Sequence, residues 1–139
     1  MKTTTLSTNL RKRLFLIPLL ACSLLISAQA VSPPPDGGYP GGNTAEGQNA
    51  LLSLTTGTYN TGVGFSSLSV TSTGRFNTAV GAGTLLANAG DNNTATGAGT
   101  LLSNTTGSFN AANGAFSLLN NTTGVENTAN GYRARYTRP

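Results

Sequence analysis

The chain has 139 residues, of which 18 are Gly, 6% are aromatic and only 9% are charged, and it contains neither His nor Trp. Such a length folds into one domain at most, and the composition argues against a compact, aromatic-rich core. The formal charge of +4 is lodged near the start, in Lys2, Arg11, Lys12 and Arg13; from residue 31 onward Arg75, Arg133, Arg135 and Arg138 balance Asp36, Glu46, Asp91 and Glu126. A neutral mature chain has no basic surface to set against phosphates, so nucleic acid is excluded as a partner.

Residues 1–30 read as a secretory signal peptide. Basic Arg11 to Arg13 are followed by the apolar run Leu14 to Ile26 and by Ser-Ala-Gln-Ala at 27–30, a small-residue cleavage pattern. The run is shorter than the ~20 residues of a membrane-spanning helix, and Pro18 interrupts it, so no membrane span is expected in the mature chain. Cys22 lies in Leu-Leu-Ala-Cys, which loosely resembles a lipoprotein attachment site. Apolar residues continue past it to Ile26, and this favours cleavage after Ala30 over lipid attachment. Cleavage there removes the single cysteine, so neither disulfides nor thiol chemistry is expected in a secreted or cell-surface product.

Residues 31–42 mix Ser-Pro-Pro-Pro with paired glycines and read as a linker. From residue 43 the sequence repeats. Units begin at Asn43, Asn60, Asn77, Asn93, Asn110 and Asn127, spaced 17, 17, 16, 17 and 17, and share the consensus N-T-A-x-G-x-x-x-L-L-x-x-T-T-G-x-x. A fixed period carried five times marks a stacked architecture in which each unit buries its apolar side only against its neighbours. Seventeen residues are too few for a helical-hairpin repeat of about 34, and Gly at positions five and fifteen breaks helices. The expected fold is therefore all-β, a parallel β-solenoid of about five 17-residue rungs over 43–131, with a polar tail at 132–139. N-T-A-x-G is expected as a short strand and T-T-G-x-x as a turn or second short strand; the middle x-x-L-L fits either a strand or one helical turn.

Stacking turns positions into columns. Position three gives small residues, Ala45, Gly62, Ala79, Ala95, Ala112 and Ala129; position nine gives Leu51, Leu68, Leu85, Leu101 and Leu118; position ten adds Leu52, Leu86, Leu102 and Leu119, with Ser69 as the exception. The two leucine columns and the alanines are the expected core. Glycines at position five and near position fifteen are expected to supply positive φ at corners. The Asn column, Asn43, Asn60, Asn77, Asn93, Asn110 and Asn127, is expected to be structural, its side chains bonding one another and the backbone rather than a ligand. Position seventeen carries Tyr59, Phe76 and Phe109, an aromatic stripe broken by Asn92 and Glu126; it suits an exposed adhesive face, a subunit interface, or packing on the leucine side.

One Ala and two Leu per rung make a thin core, which points to an oligomer. On a strand, adjacent positions nine and ten face opposite ways, so one leucine column would look inward and the other toward a partner; a helical turn would remove that argument. Catalysis needs convergent titratable groups, and the mature chain offers no His, no Cys and four scattered carboxylates in different columns, so an enzyme is not expected. No cofactor is implied. Neither an Asp-rich nonapeptide nor His/Cys spacing marks a metal site.

The strings NTAVG, NTATG and NTANG, alternating with LLSNTTG and LLNNTTG, resemble the head-type repeats of trimeric autotransporter adhesins (YadA-like heads) and of related bacterial surface and fibre proteins. The resemblance covers Asn43 to Gly131. It implies a left-handed β-roll, a homotrimer, and a place at the bacterial cell surface, outer-membrane associated or extracellular, in adhesion to a surface, matrix or glycan ligand. Several features depart from that family: a rung of 17 residues is longer than the best-known head repeats, no heptad stalk, membrane barrel or self-cleaving chaperone domain is expected among these 139 residues, and Arg135 stands where the sixth rung should place leucine. Tyr132 to Pro139 reads as either a polar cap or the ragged end of a truncated adhesin. A different reading is a solenoid that binds a repetitive ligand, polysaccharide or ice, through Thr columns at positions two (Thr44, Thr61, Thr78, Thr94, Thr128) and fourteen (Thr56, Thr73, Thr106, Thr123).

Overall fold

The structure is a computed structural model that describes residues 39–135; the signal peptide, Cys22 and most of the linker lie outside the described residues. Six three-residue strands form one sheet in the order of the chain: β1 (Thr44–Glu46), β2 (Thr61–Val63), β3 (Thr78–Val80), β4 (Thr94–Thr96), β5 (Ala111–Asn113) and β6 (Thr128–Asn130). Every pairing is parallel and without offset, so Thr44, Thr61, Thr78 and Thr94 stand in one row and Ala45, Gly62, Ala79 and Ala95 in the next. The described chain is thus an all-β parallel solenoid of about five turns, with no helix among the described residues.

The rung follows from residue type. Within each strand the middle residue points inward, and only Ala or Gly stands there, while its Thr and variable neighbours point outward. The strand ends on Gly at position five, where φ lies between 110° and 137° and a Cβ would strike the same glycine of the next rung; at Gly81 a Cβ would lie 2.7 Å from the Gly97 carbonyl carbon. No other residue fits there.

The x-x-L-L segment is neither a strand nor a helical turn. It is two successive turns: Gly47 O accepts Ala50 N–H at 3.2 Å, and Leu51 O accepts Leu54 N–H at 3.1 Å, a pattern repeated in later rungs. The position-nine leucines sit in the left-handed region, φ 50° to 52°, a conformation costing a residue with a Cβ roughly 1–2 kcal/mol. Burial holds them there, since Leu68, Leu85 and Leu101 are fully enclosed. Between rungs, each position-nine N–H donates to the position-eight carbonyl of the next rung, as Leu85 does to Thr100 O at 3.0 Å.

This backbone turns only one leucine column inward. Leu51, Leu68, Leu85, Leu101 and Leu118 form the core with the position-three alanines, whereas Leu52 is 66% exposed and Leu86, Leu102 and Leu119 are half-buried. The position-ten leucines therefore lie at the surface, contrary to the expectation that both columns are core and in line with the alternative that only one looks inward, although turns rather than a strand separate the two. Position eight takes its place. Ala50, Ser67, Thr84, Thr100 and Ser117 are buried, and the hydroxyls reach carbonyls of the following rung, Ser67 Oγ donating to Ala79 O and Thr84 Oγ1 to Gly97 O.

Two further details differ from the sequence reading. The glycines near position fifteen are not at positive φ; at Gly74 a Cβ would come within 2.8 Å of the Gly90 carbonyl, so closeness of stacking selects them. The 16-residue rung lacks position fourteen: Ala89 N–H donates to Thr105 O, and Gly90 O accepts from Asn77 as Gly107 O accepts from Asn93. The deletion thus sits in the turn, and Asp91 stands at position sixteen, level with Arg75 and Ser108.

Candidate functional surfaces

The Asn column is an interior polar ladder. At each step from Asn43 to Asn127 the backbone N–H and the Nδ2 of one Asn both donate to Oδ1 of the Asn before it, at 2.8–3.0 Å and 2.9–3.1 Å. The remaining Nδ2 proton goes to the position-fifteen glycine carbonyl of its own rung, as from Asn60 to Gly74 O at 2.8 Å. Asn60, Asn77 and Asn93 are completely buried. With donors and acceptors spent on one another, the column holds the stack and has nothing left for a ligand.

A second ladder runs beside it at position twelve, and the sequence reading missed it. Asn104 Nδ2 donates to Asn88 Oδ1 at 2.7 Å and Asn121 Nδ2 to Asn104 Oδ1 at 3.0 Å, all three being buried. Its signal was present in units three to five. Units one and two place Leu54 and Thr71 there, which hid the column, and Thr71 Oγ1 is buried with no hydrogen-bond partner.

Three surfaces remain for contact with other molecules. The outer sheet face carries the position-two threonines, half-buried at Thr61 and Thr78 and exposed at Thr44, Thr94 and Thr128, with Ala111 interrupting the row. That missing side chain opens a shallow depression walled by Thr94, Thr96, Asn113, Thr128 and Asn130. Position fourteen forms no continuous row, since the short rung skips it. At position seventeen the rings are exposed, Tyr59 at 61% and Phe109 at 60%, and Tyr59 stacks on Phe76 with centroids 5.2 Å apart and an interplanar angle of 9°. Packing of this stripe on the leucine side is thereby overturned: the left-handed φ of 56° to 59° at this position swings the rings out.

The two-turn segment, positions six to eleven, holds the third surface. It exposes Leu52, Phe65, Val70, Phe116 and Tyr132 and half-exposes Leu86, Leu102 and Leu119. Phe116 meets Tyr132 edge-on at 6.3 Å, and a Cβ at Gly99 would strike the Phe116 ring, which therefore covers that glycine. Charged groups are few: Asp91 Oδ1 accepts the backbone N–H of Arg75 at 2.8 Å, and Arg133 lies over the Tyr132 ring at 5.3 Å. Among the described residues no group of three or more His, Cys, Asp or Glu is placed to hold a metal ion, and no helix is long and apolar enough to cross a membrane. Compared with known proteins, the chain matches no family model, and no curated protein or solved structure matches it either.

Proposed function

We propose that this is a secreted, non-enzymatic repeat protein of the bacterial cell surface, acting in adhesion or as a structural head or fibre module, and assembled as a homotrimer of left-handed β-rolls. The observation that carries the reading is the apolar strip of positions six to eleven, which includes Leu52, Phe65, Val70, Phe116 and Tyr132. A core of one Ala and one Leu per rung leaves these side chains uncovered in a single chain, and clustered exposed apolar side chains are what an interface covers. The resemblance of the NTAVG and LLSNTTG strings to trimeric adhesin heads supplies the stoichiometry and the location. The exposed Tyr59–Phe76 pair and the Thr-rich sheet face are then the surfaces offered to a matrix or glycan.

The mass of the secreted chain in solution, by light scattering after gel filtration, tests this. Three chains per particle with a β-type circular dichroism spectrum is the expected result, and Leu52→Glu, which places a charge in the strip, should lower the particle mass while keeping the spectrum. A folded monomer at all concentrations overturns the trimer.

The in-register, outward Thr44, Thr61, Thr78 and Thr94 favour a second reading, in which the flat hydroxyl face binds a repetitive ligand such as polysaccharide or ice. Thermal hysteresis or binding to a glycan array would carry it; a flat response in both removes it.

A further inference from the structure

A ladder of identical steps has no intrinsic stopping point. Among the described residues, strand β6 pairs with β5 alone and β1 with β2 alone. The residues at the two ends are alike, Asn-Thr-Ala at 127–129 and again at 43–45, so β1 of a second copy stacked on β6 would continue the Asn and Ala columns in the same register. Open parallel edges of this kind template further chains.

At both ends, residues outside the consensus take some of the bonds that a further rung would make. At the first rung Asn43 Nδ2, with no earlier Asn to reach, donates to Pro40 O at 2.6 Å. Tyr59 N–H, which in later rungs has its counterpart bonded to a position-sixteen carbonyl of the preceding rung, donates instead to Gly41 O at 2.9 Å, and Tyr39 packs on the end of the core. At the last rung Arg135 occupies the position of the core leucines with their backbone conformation, φ 51°. Its Nη1 donates to Asn127 Oδ1 at 2.9 Å, the acceptor that at every earlier rung takes the next Asn.

We infer that Tyr39–Gly42 and Arg135 are end caps that keep a second copy of this chain from stacking head to tail on the solenoid. The caps make the array finite, and a cation in place of the sixth core leucine also deprives a newcomer of apolar surface to cover.

Two variants of the full secreted protein separate the ends. Arg135→Leu uncovers the last rung, and Tyr39→Ala combined with Pro40→Gly loosens the first. Alone, each variant keeps the particle mass of the unmodified protein, because its other end is still closed. Mixed in equal amounts, they form a species of twice that mass whose fraction rises with concentration. Since masses are compared with the unmodified particle, the result does not depend on how many chains that particle holds. A mixture whose mass distribution matches its separate components overturns the inference, as does equal association by Arg133→Leu, which removes the same charge at a side chain lying over the Tyr132 ring. Arg135→Ala replaces Arg135→Leu where leucine impairs folding; loss of the β spectrum in both would also overturn it, by showing that Arg135 sustains the fold rather than ending it.

Discussion

The backbone N–H and the side-chain Nδ2 of Asn77 both donate to Oδ1 of Asn60, at 3.0 and 3.1 Å, across one full rung and with both residues completely buried. Asn77→Ala keeps the backbone bond but takes the acceptor from the buried Asn93 backbone N–H, while the Gly90 carbonyl keeps Asn88 Nδ2 and Asn93 Nδ2 keeps Gly107 O and Asn88 Oδ1. Buried groups stranded in this way cost roughly 1–3 kcal/mol each. Urea denaturation should show a loss of about 1–3 kcal/mol for Asn77→Ala, against less than about 0.5 kcal/mol for Thr94→Ala on the exposed sheet face.

Thr71 presents the opposite case. Its hydroxyl is buried and unpartnered, so Thr71→Val exchanges an unsatisfied polar group for a methyl of similar shape and should be neutral or stabilising by about 1 kcal/mol. Thr71→Asn should also be tolerated, because it extends the position-twelve ladder from Asn88. A clear drop in melting temperature for Thr71→Val would show that the hydroxyl is in fact bonded.

Gly81 and Gly83 have different reasons to be glycine. A Cβ at Gly81 would meet the Gly97 backbone with φ at 137°, whereas Gly83 at φ 63° needs only a small shift of Leu102 Cδ1, 3.3 Å away. Asn49, Ser66 and Phe116 already occupy the position of Gly83 in other rungs at φ 53° to 63°. Gly83→Ala should cost about 1 kcal/mol, and Gly81→Ala more than about 3 kcal/mol, or the fold itself.

Leu101→Asp places a carboxylate in the centre of the core column and should abolish folding, as read by circular dichroism. Thr96→Asp, at the exposed outward end of β4, should leave the spectrum and melting temperature nearly unchanged. Equal tolerance of the two would mean that the register of the rungs is wrong.

Much of this architecture was legible in the sequence because the period is short and the chemistry repeats. The Asn starts fixed the rung boundaries, the Ala and first Leu columns fixed the interior, and the Asn side chains bond one another as their spacing implied. Position ten was not legible, since the alternation of a strand was the only rule that separates adjacent leucines, and the chain separates them by left-handed turns at Leu85 and its counterparts instead. The position-twelve ladder was obscured by Leu54 and Thr71. Exposure of Tyr59 and Phe76 depended on a backbone angle that residue type does not reveal, as Tyr, Phe, Asn and Glu all adopt it at position seventeen.

Because Nδ2 always donates toward the earlier rung, all six carboxamides of the first ladder point the same way, with their carbonyl oxygens toward the later one. Their dipoles add along the solenoid axis as peptide dipoles add along a helix, leaving partial negative charge beyond Asn127 and partial positive charge before Asn43. The groups that meet those poles have matching signs: a guanidinium at Asn127 and a carbonyl oxygen at Asn43. The two ends of the ladder are therefore electrically distinct even though the repeat that builds them is the same, and each selects a capping group of the opposite sign.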